Sequence, residues 1–145
     1  MTFQKYLEHS SQAVEKYIHT IFPVWQKQAG KQVPQLAHLY ELFSSSLVGG
    51  KGIRGMLVQM GYNLSKAPAN KEIIKIATAY EIVHAALLIH DDIIDRSDLR
   101  RGKPTLHKIL AHTVKSSDPD KLGIDLGIIA GDIVYALAID AFLSI

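Results

Sequence analysis

The chain has 145 residues, of which 48% are hydrophobic and 21% charged, with a formal net charge of +2 and no cysteine. This apolar content can build one core, and the length fits one domain, 1–145, or part of one. The small charge gives no argument for nucleic-acid binding, and the lack of cysteine excludes disulfides and zinc–thiolate sites. The first residues do not resemble a signal peptide, so we expect a cytoplasmic protein.

Apolar residues recur at helical spacing along most of the chain, and no segment alternates as strands do. The pattern predicts an all-α fold of about six helices. The first helix covers residues 2–22 and is broken by Gly30 and the stretch 31–34. The later helices are expected at 34–47, 53–64, about 71–95, 105–113, and from about 121 to the end.

The most apolar stretch of the chain is its last predicted helix. Asp125, Asp132 and Asp140 interrupt it, so we expect no transmembrane segment. The sequence stops within this helix without a glycine cap or a basic last turn. Two interpretations stay open: the sequence is part of a longer chain, or this helix forms an oligomer interface, as in a homodimer.

A cluster of carboxylates follows the long apolar helix of residues 71–95. Asp91 and Asp95 are four residues apart and share a helix face, with Asp92 about 100° away. Mg²⁺ keeps several waters and is usually bound through one or two carboxylates and substrate phosphates. The spacing of these aspartates therefore suits a magnesium ion.

Basic side chains flank this cluster on both sides. His84 lies two helical turns before Asp91 on the same side, and Arg100 and Arg101 follow where the chain leaves the helix. Arginine forks match the oxygens of a diphosphate group. Together with the aspartates, these residues predict a Mg²⁺–diphosphate site.

A glycine-rich segment, Gly49-Gly-Lys-Gly-Ile-Arg-Gly55, precedes the third predicted helix. Glycines allow the backbone to approach a ligand closely, and free N–H groups at a helix start favour an anion. The segment does not match the nucleotide P-loop. With Lys51 and Arg54, it is a candidate second diphosphate site.

These motifs resemble those of the trans-isoprenyl diphosphate synthases, or polyprenyl synthetases. The glycine segment resembles their Gly-Gly-Lys-Arg-x-Arg-Pro motif, although Gly52 and Gly55 stand where the family usually has Arg and Pro. Residues 81–105 resemble the first aspartate-rich motif with its flanks, and Ala130-Gly-Asp132 resembles the Ala-Gly-Asp of the following helix. The family's second aspartate-rich motif lies on a later helix, so the resemblance is to the N-terminal half of a synthase, and we expect this chain alone to be inactive.

The resemblance implies a helical bundle of the isoprenoid-synthase type and a Mg²⁺-dependent, head-to-tail condensation of isopentenyl diphosphate with an allylic diphosphate. By motif position, Asp91 and Asp95 would ligate Mg²⁺, with Asp92 supporting them. Arg100 would hold the allylic diphosphate. The residues implied to hold isopentenyl diphosphate are Lys51, Arg54, His84 and Arg101.

The family also implies which residues limit product length. The growing chain should run along the helix face above Asp91, past Leu87 and Ala86. In the family an aromatic residue at either position closes the pocket early, and here both residues are non-aromatic. We therefore expect a C20 or longer product.

An HD-type metal phosphohydrolase is an alternative, because His90-Asp91 is a His-Asp doublet on a helix. Such a site needs a further upstream His and a distant Asp, for which His38 and Asp132 are available. This alternative does not account for the other aspartates and arginines of the cluster.

Two further alternatives belong to other classes of protein. A di-iron protein is suggested by the Glu81-x-x-His84 spacing, but it needs a second Glu-x-x-His, which the sequence lacks. A non-catalytic interaction subunit would keep the same fold and use its last helix as the interface.

Overall fold

The computed structural model describes residues 2–47, 49–67, 70–113 and 115–144, without the side chains of Gln35, Leu36, Ser45 and Ser46. Within these residues the chain forms six helices and one short hairpin. The prediction of an all-α fold is confirmed. The elements are α1 (Phe3–Gln32), α2 (Pro34–Leu47), α3 (Ile53–Leu64), α4 (Glu72–Ile94), β1 (Leu99–Arg100), β2 (Lys103–Pro104), α5 (Leu106–Leu110) and α6 (Pro119–Leu143).

Helix α1 is longer than the sequence pattern predicts: Gly30 does not break it, and it ends within the predicted break at residues 31–34. A Cβ atom on Gly30 would lie 3.3 Å from the Cβ of Ala37, so this glycine lets α1 pack closely against α2. The helix ends instead at Val33, which is extended with φ of −141°. The residue before a proline avoids the helical conformation, and Pro34 then suits the first position of α2.

The described chain divides into two compact units, of which the first runs up to Glu81 and includes the chain from Ala138 onward. In this unit α1 packs against α2 and α3. One face of α1 is buried along its length, through Val14, Ile18, Phe22 and Trp25. The indole Nε1 of Trp25 donates to Asp140 Oδ2 at 2.8 Å, which satisfies its polar group inside this unit.

The second unit, Ile82–Leu137, contains the end of α4, the hairpin, α5 and most of α6. Three glycines spaced four apart, Gly123, Gly127 and Gly131, lie on one face of α6. A Cβ on each would meet atoms of α4 or α5 within 3 Å. The small residues therefore let α6 approach its neighbours closely, and this contact fixes the backbone that carries the aspartate cluster. The prediction of a single domain is not tested by this division and stays a prediction.

Two helices of the described chain, α4 and α6, are long and apolar enough to cross a membrane by length and composition alone. The core helix of a water-soluble bundle has the same character, so composition does not decide between the two. The predictions of no transmembrane segment and of a cytoplasmic location therefore stay predictions.

Candidate metal and diphosphate site

The end of α4 presents its aspartates in two different environments. Asp91 and Asp95 are exposed, whereas Asp92 is buried with 4% of its surface accessible. The backbone N–H of Asp95 donates to the carbonyl of Asp91 at 2.8 Å, so the helical spacing continues through the last turn. The two exposed carboxylates therefore lie one turn apart on the same side of the helix.

A Schellman motif ends α4 immediately after these aspartates. The N–H of Ser97 donates to the carbonyl of Asp92 at 2.9 Å, and the N–H of Arg96 donates to that of Ile93 at 3.2 Å. Arg96 takes the left-handed conformation, with φ of 54°, that glycine usually takes there. This conformation costs a non-glycine residue roughly 1 kcal/mol. The sequence gives no glycine signal for this sharp turn.

The chain then forms a two-stranded antiparallel hairpin, in which Arg100 pairs with Lys103. Arg101 and Gly102 make the turn, with φ of 53° and 75°. Two consecutive positive φ values in a two-residue loop are typical of a type I′ turn, whose twist matches that of the strands. The hairpin therefore sets the direction of Arg100 at the end of β1.

Buried Thr105 closes the base of this hairpin. Its Oγ1 donates to the carbonyl of Ser97 at 2.9 Å, and its N–H donates to the carbonyl of Asp98 at 3.0 Å. Lys108 of α5 lies 3.2 Å from the carboxylate of Asp98. These contacts join the turn after α4 to the start of α5.

Arg100 forms a two-pronged ion pair with Asp92. Its Nε lies 2.8 Å from both carboxylate oxygens of Asp92, and its Nη2 donates to Oδ1 as well. Nη2 also lies 3.7 Å from Asp91 Oδ2. The hydrogen bonds to Asp92 raise the pKa of Arg100 further above its ordinary value, so the guanidinium stays charged. The sequence analysis does not predict this ion pair. The feature that could have indicated it is the position of Asp92, about 100° around the helix from Asp91 and so away from the exposed face.

The fit of Mg²⁺ to these residues follows from their donor atoms. The described residues contain no group of three or more metal-ligating side chains. The exposed carboxylates of Asp91 and Asp95 supply hard oxygen ligands, and Mg²⁺ accepts one or two carboxylates if water and phosphate oxygens complete its shell. The residues therefore fit a magnesium ion that binds together with a diphosphate.

His90 holds the end of α4 against α6. Its Nε2 lies 3.1 Å from the carbonyl oxygen of Ile128, which can accept a hydrogen bond from it. A Cβ on Gly131 would lie only 2.1 Å from the same nitrogen, so the ring occupies the space above this glycine. The same nitrogen lies 3.7 Å from Oδ1 of Asp132, the distant Asp of the HD alternative. Because a backbone carbonyl engages Nε2 and the described residues hold no group of three metal-ligating side chains, the geometry gives His90 a packing role and does not favour the HD-type metal site.

His107 of α5 is a buried histidine that the sequence did not single out. It is 5% exposed, and its Nδ1 has no hydrogen-bond partner among the described residues. Burial, with a smaller effect of Lys108, lowers the pKa of His107 below its ordinary value of 6.5. Asp92, Asp98 and Asp120 oppose this shift. The ring is therefore neutral near pH 7.

This shift predicts a loss of stability in mild acid. Below pH 6.5 the unfolded chain protonates this histidine while folded His107 stays neutral, so the free energy of unfolding should fall as the pH drops. Urea unfolding at a series of pH values between about 7.5 and 5 measures this effect. His107→Gln should flatten the slope, and His112→Gln, at an exposed position, should leave it unchanged. Equal slopes for wild type and His107→Gln would contradict the prediction.

The glycine segment lies in the first unit, where Lys51 and Arg54 are exposed. Gly52 has a φ of 61°, and a Cβ there would lie 2.8 Å from Ser11 Oγ. Both the left-handed backbone and this close approach favour glycine over a larger residue. The structure therefore explains why an arginine is not accommodated at this position.

The second departure from the family motif, Gly55, has a different cause. Its N–H donates to Glu81 Oε1 at 2.7 Å, and a Cβ would lie 3.2 Å from the carbonyl oxygen of Ala77. A proline would lack this donor. Because a carboxylate already occupies the start of α3, an anion near this segment would depend on the side chains of Lys51 and Arg54.

The remaining predicted residues lie on α4 and on the hairpin turn. Leu87 is 58% exposed and stands four residues before Asp91, whereas Ala86 is 1% exposed and lies in the core. His84 is half-buried, and Arg101 is exposed on the turn. Within the second unit the structure thus brings Arg100 to Asp91 and Asp92.

Comparisons with known proteins identify the family to which this chain belongs. The family model described as "Polyprenyl synthetase" matches residues 36–145. A short chain isoprenyl diphosphate synthase of Methanocaldococcus jannaschii is 41% identical over 93 residues, which are 64% of this chain and 24% of that protein. A prenyl transferase of Cyanophora paradoxa is 37% identical, over 85% of this chain and 34% of that one.

A solved structure shows the same fold. The crystal structure of geranylgeranyl pyrophosphate synthase from Corynebacterium glutamicum, complexed with isoprenyl diphosphate and magnesium, has a TM-score of 0.73 and 27% identity. The match covers 99% of this chain and 42% of that one. The chain spans about a quarter to a third of the length of the curated relatives that it matches. With a family model that matches three quarters of its residues, the chain belongs to the polyprenyl synthetase family.

Proposed function

We propose that this chain provides the first aspartate-rich part of a trans-polyprenyl diphosphate synthase. The enzyme would condense isopentenyl diphosphate with an allylic diphosphate, head to tail and with Mg²⁺, to a C20 or longer product. The observation that carries the proposal is the pair of exposed carboxylates, Asp91 and Asp95, next to a guanidinium fixed by a tight hairpin. The family's second aspartate-rich motif would come from polypeptide outside this sequence.

The proposed reaction places the largest change of charge on the leaving diphosphate. The allylic C–O bond breaks with its electron pair on the diphosphate, and bound Mg²⁺ would neutralise part of that charge. Arg100 would donate N–H groups to the same oxygens, and fixed donors of this kind stabilise developing negative charge. The double bond of isopentenyl diphosphate then forms the new C–C bond, and a proton is lost.

The binding of isopentenyl diphosphate is assigned from motif positions. Lys51, Arg54, His84 and Arg101 match the family's cationic positions, and Lys51, Arg54 and Arg101 are exposed. An exposed cation can meet a diphosphate without first losing a core contact. The occupied start of α3 supports a site formed by side chains rather than by helix N–H groups.

The test is incorporation of labelled isopentenyl diphosphate in the presence of an allylic diphosphate and Mg²⁺. We expect this chain alone to form no product, because the second aspartate-rich motif would lie outside this sequence. A synthase that contains this chain should form product that disappears when the metal is chelated and in the Asp91→Ala variant. Incorporation by this chain alone would contradict its expected incompleteness. No incorporation by a synthase that contains the chain and is folded by circular dichroism would contradict the proposed function and favour the second candidate.

The second candidate is a non-catalytic interaction subunit, favoured by the apolar surface of α6. The large apolar side chains that this helix exposes are Ile124, Ile128, Ile129, Tyr135, Ile139 and Leu143. A helix with such a surface can pack against a partner or a second copy in a homodimer. Light scattering at the dimer mass, together with absent catalysis, would support this candidate; a monomer mass would weaken it.

Product length provides a further prediction. Leu87 lies on the exposed side with Asp91, so in the complete enzyme Leu87→Phe should block the path of the growing chain and shorten the product. Leu87→Met, of similar volume, is the control and should preserve product length. Ala86→Phe should also shorten the product but would disturb the core, because Ala86 is buried. Chromatography of the products measures the effect, and an unchanged length in Leu87→Phe would refute it.

A further inference from the structure

Asp92 differs from its two neighbouring aspartates in what its carboxylate contacts. Both of its oxygens accept from Arg100, and only 6% of its side chain is accessible. Asp91 and Asp95 instead face solvent. The three aspartates of one motif therefore have two different environments.

These contacts make Asp92 a poor ligand for a metal ion. An ionised carboxylate offers about four lone-pair sites, and three contacts from the guanidinium already engage both of its oxygens. Magnesium also needs a near-ideal octahedral shell, which a buried carboxylate committed to another cation is badly placed to join. The structure therefore separates Asp92 from the two exposed carboxylates that suit the ion.

The same contacts restrict Arg100. A guanidinium has five N–H donors in a rigid fork, and Asp92 engages the edge formed by Nε and Nη2. Nη2 still lies 3.7 Å from Asp91 Oδ2, so the guanidinium remains beside the exposed carboxylates. A long side chain held in this way loses little conformational freedom when it binds an anion.

We propose that Asp92 is a positioning residue, which fixes Arg100 so that its remaining donors meet a diphosphate bound at Asp91 and Asp95. This inference rests on the proposed function, because it concerns the same diphosphate. It assigns Asp92 a role through Arg100 and none through the metal. The ion pair persists when the diphosphate binds.

The first experiment measures binding of inorganic diphosphate by calorimetry at a series of Mg²⁺ concentrations. Asp92→Asn should weaken diphosphate binding about tenfold, because Arg100 loses its fixed orientation. The Mg²⁺ concentration for half-maximal binding should stay at the wild-type value. In Asp91→Asn that concentration should rise. Removing a negative charge near an anion site would by itself tighten binding, so weaker binding separates positioning from simple electrostatics.

A double-mutant cycle tests whether Asp92 acts through Arg100. Arg100→Gln should weaken diphosphate binding, and adding Asp92→Asn to it should weaken binding no further. Asp92→Glu retains a carboxylate and should recover part of the affinity lost in Asp92→Asn. Nitrogen-15 NMR of the Arg100 Nε–H group gives a readout without ligand: a slowly exchanging signal in wild type and its loss in Asp92→Asn. The remaining amide signals show whether each variant is folded.

Each outcome bears on the inference. Unchanged or tighter diphosphate binding in Asp92→Asn overturns it, and so does a raised Mg²⁺ requirement equal to that of Asp91→Asn, which would make Asp92 a metal ligand. Additive losses in the double mutant also overturn it. If wild type binds no diphosphate, the proposed function fails together with the inference. If wild type binds diphosphate and Asp92→Asn binds it equally well, the inference is rejected and the proposed function is not.

Discussion

In a synthase that contains this chain, Asp91→Asn is expected to lower Mg²⁺-dependent incorporation of isopentenyl diphosphate by about 10²- to 10³-fold, as for other groups that stabilise developing charge. Asparagine keeps the size of the side chain and its exposed place on α4, but it removes the charge that binds a hard cation. The fold should not change, because Asp91 contributes no buried contact. Initial rates across a series of Mg²⁺ concentrations measure the effect.

A matched control is an exposed aspartate of the same unit outside the cluster. Asp125 pairs with Lys121 on α6 and is exposed, so Asp125→Asn removes an equal charge at an unrelated place. Its activity should equal that of the wild type. If Asp91→Asn retained wild-type rates at low Mg²⁺, the assignment of this carboxylate to the metal would be wrong.

Much of the helical fold was predictable because apolar spacing is a local property of the sequence. The limits of α2 and α3 agree with the pattern, since a proline begins one helix and glycines separate the two. The end of α1 was not predictable from propensity. Gly30 weakens a helix in isolation, but in the folded chain it allows a close contact with Ala37, and that tertiary contact outweighs the local preference.

The sequence predicts which residues form the site but not how they are arranged. Helical spacing alone places Asp91 and Asp95 on one face. The sequence predicts a turn at Gly102-Lys-Pro104 but not a hairpin, because there is no Asn-Gly or Asp-Gly pair and the first turn residue is Arg101 with a positive φ. Arg96 takes the helix-ending position where glycine is usual. The ion pair of Arg100 depends on this unusual backbone, which explains why sequence reasoning missed it.

The two positions at which the glycine segment differs from the family motif also depend on tertiary contacts that the local sequence does not show. The sequence shows that Gly52 and Gly55 differ from the family motif, but it gives no reason for the difference. The structure relates Gly52 to a left-handed backbone against Ser11, and Gly55 to an N–H that Glu81 accepts. Both reasons involve residues more than 20 positions away in the sequence.

Gly123→Ala is expected to have the largest effect on stability of the substitutions considered. The new Cβ would lie 2.4 Å from the carbonyl oxygen of His107 and 2.8 Å from the Cβ of Ala111. Neither atom belongs to a side chain that can rotate away, so α5 and α6 must separate. Overpacking of this kind costs about 1–3 kcal/mol or more, against a gain of about 1 kcal/mol from the better helix propensity of alanine. Urea unfolding followed by circular dichroism measures the net loss.

Two other glycines make this prediction specific. Gly131→Ala should destabilise less, because its neighbour is the ring of His90, which can turn at the cost of its contact with Ile128. Gly61→Ala has no atom within 4 Å of its new Cβ and should stabilise the chain by up to about 1 kcal/mol. If the Gly123→Ala variant were as stable as the Gly61→Ala variant, that result would contradict the close contact between α6 and α5.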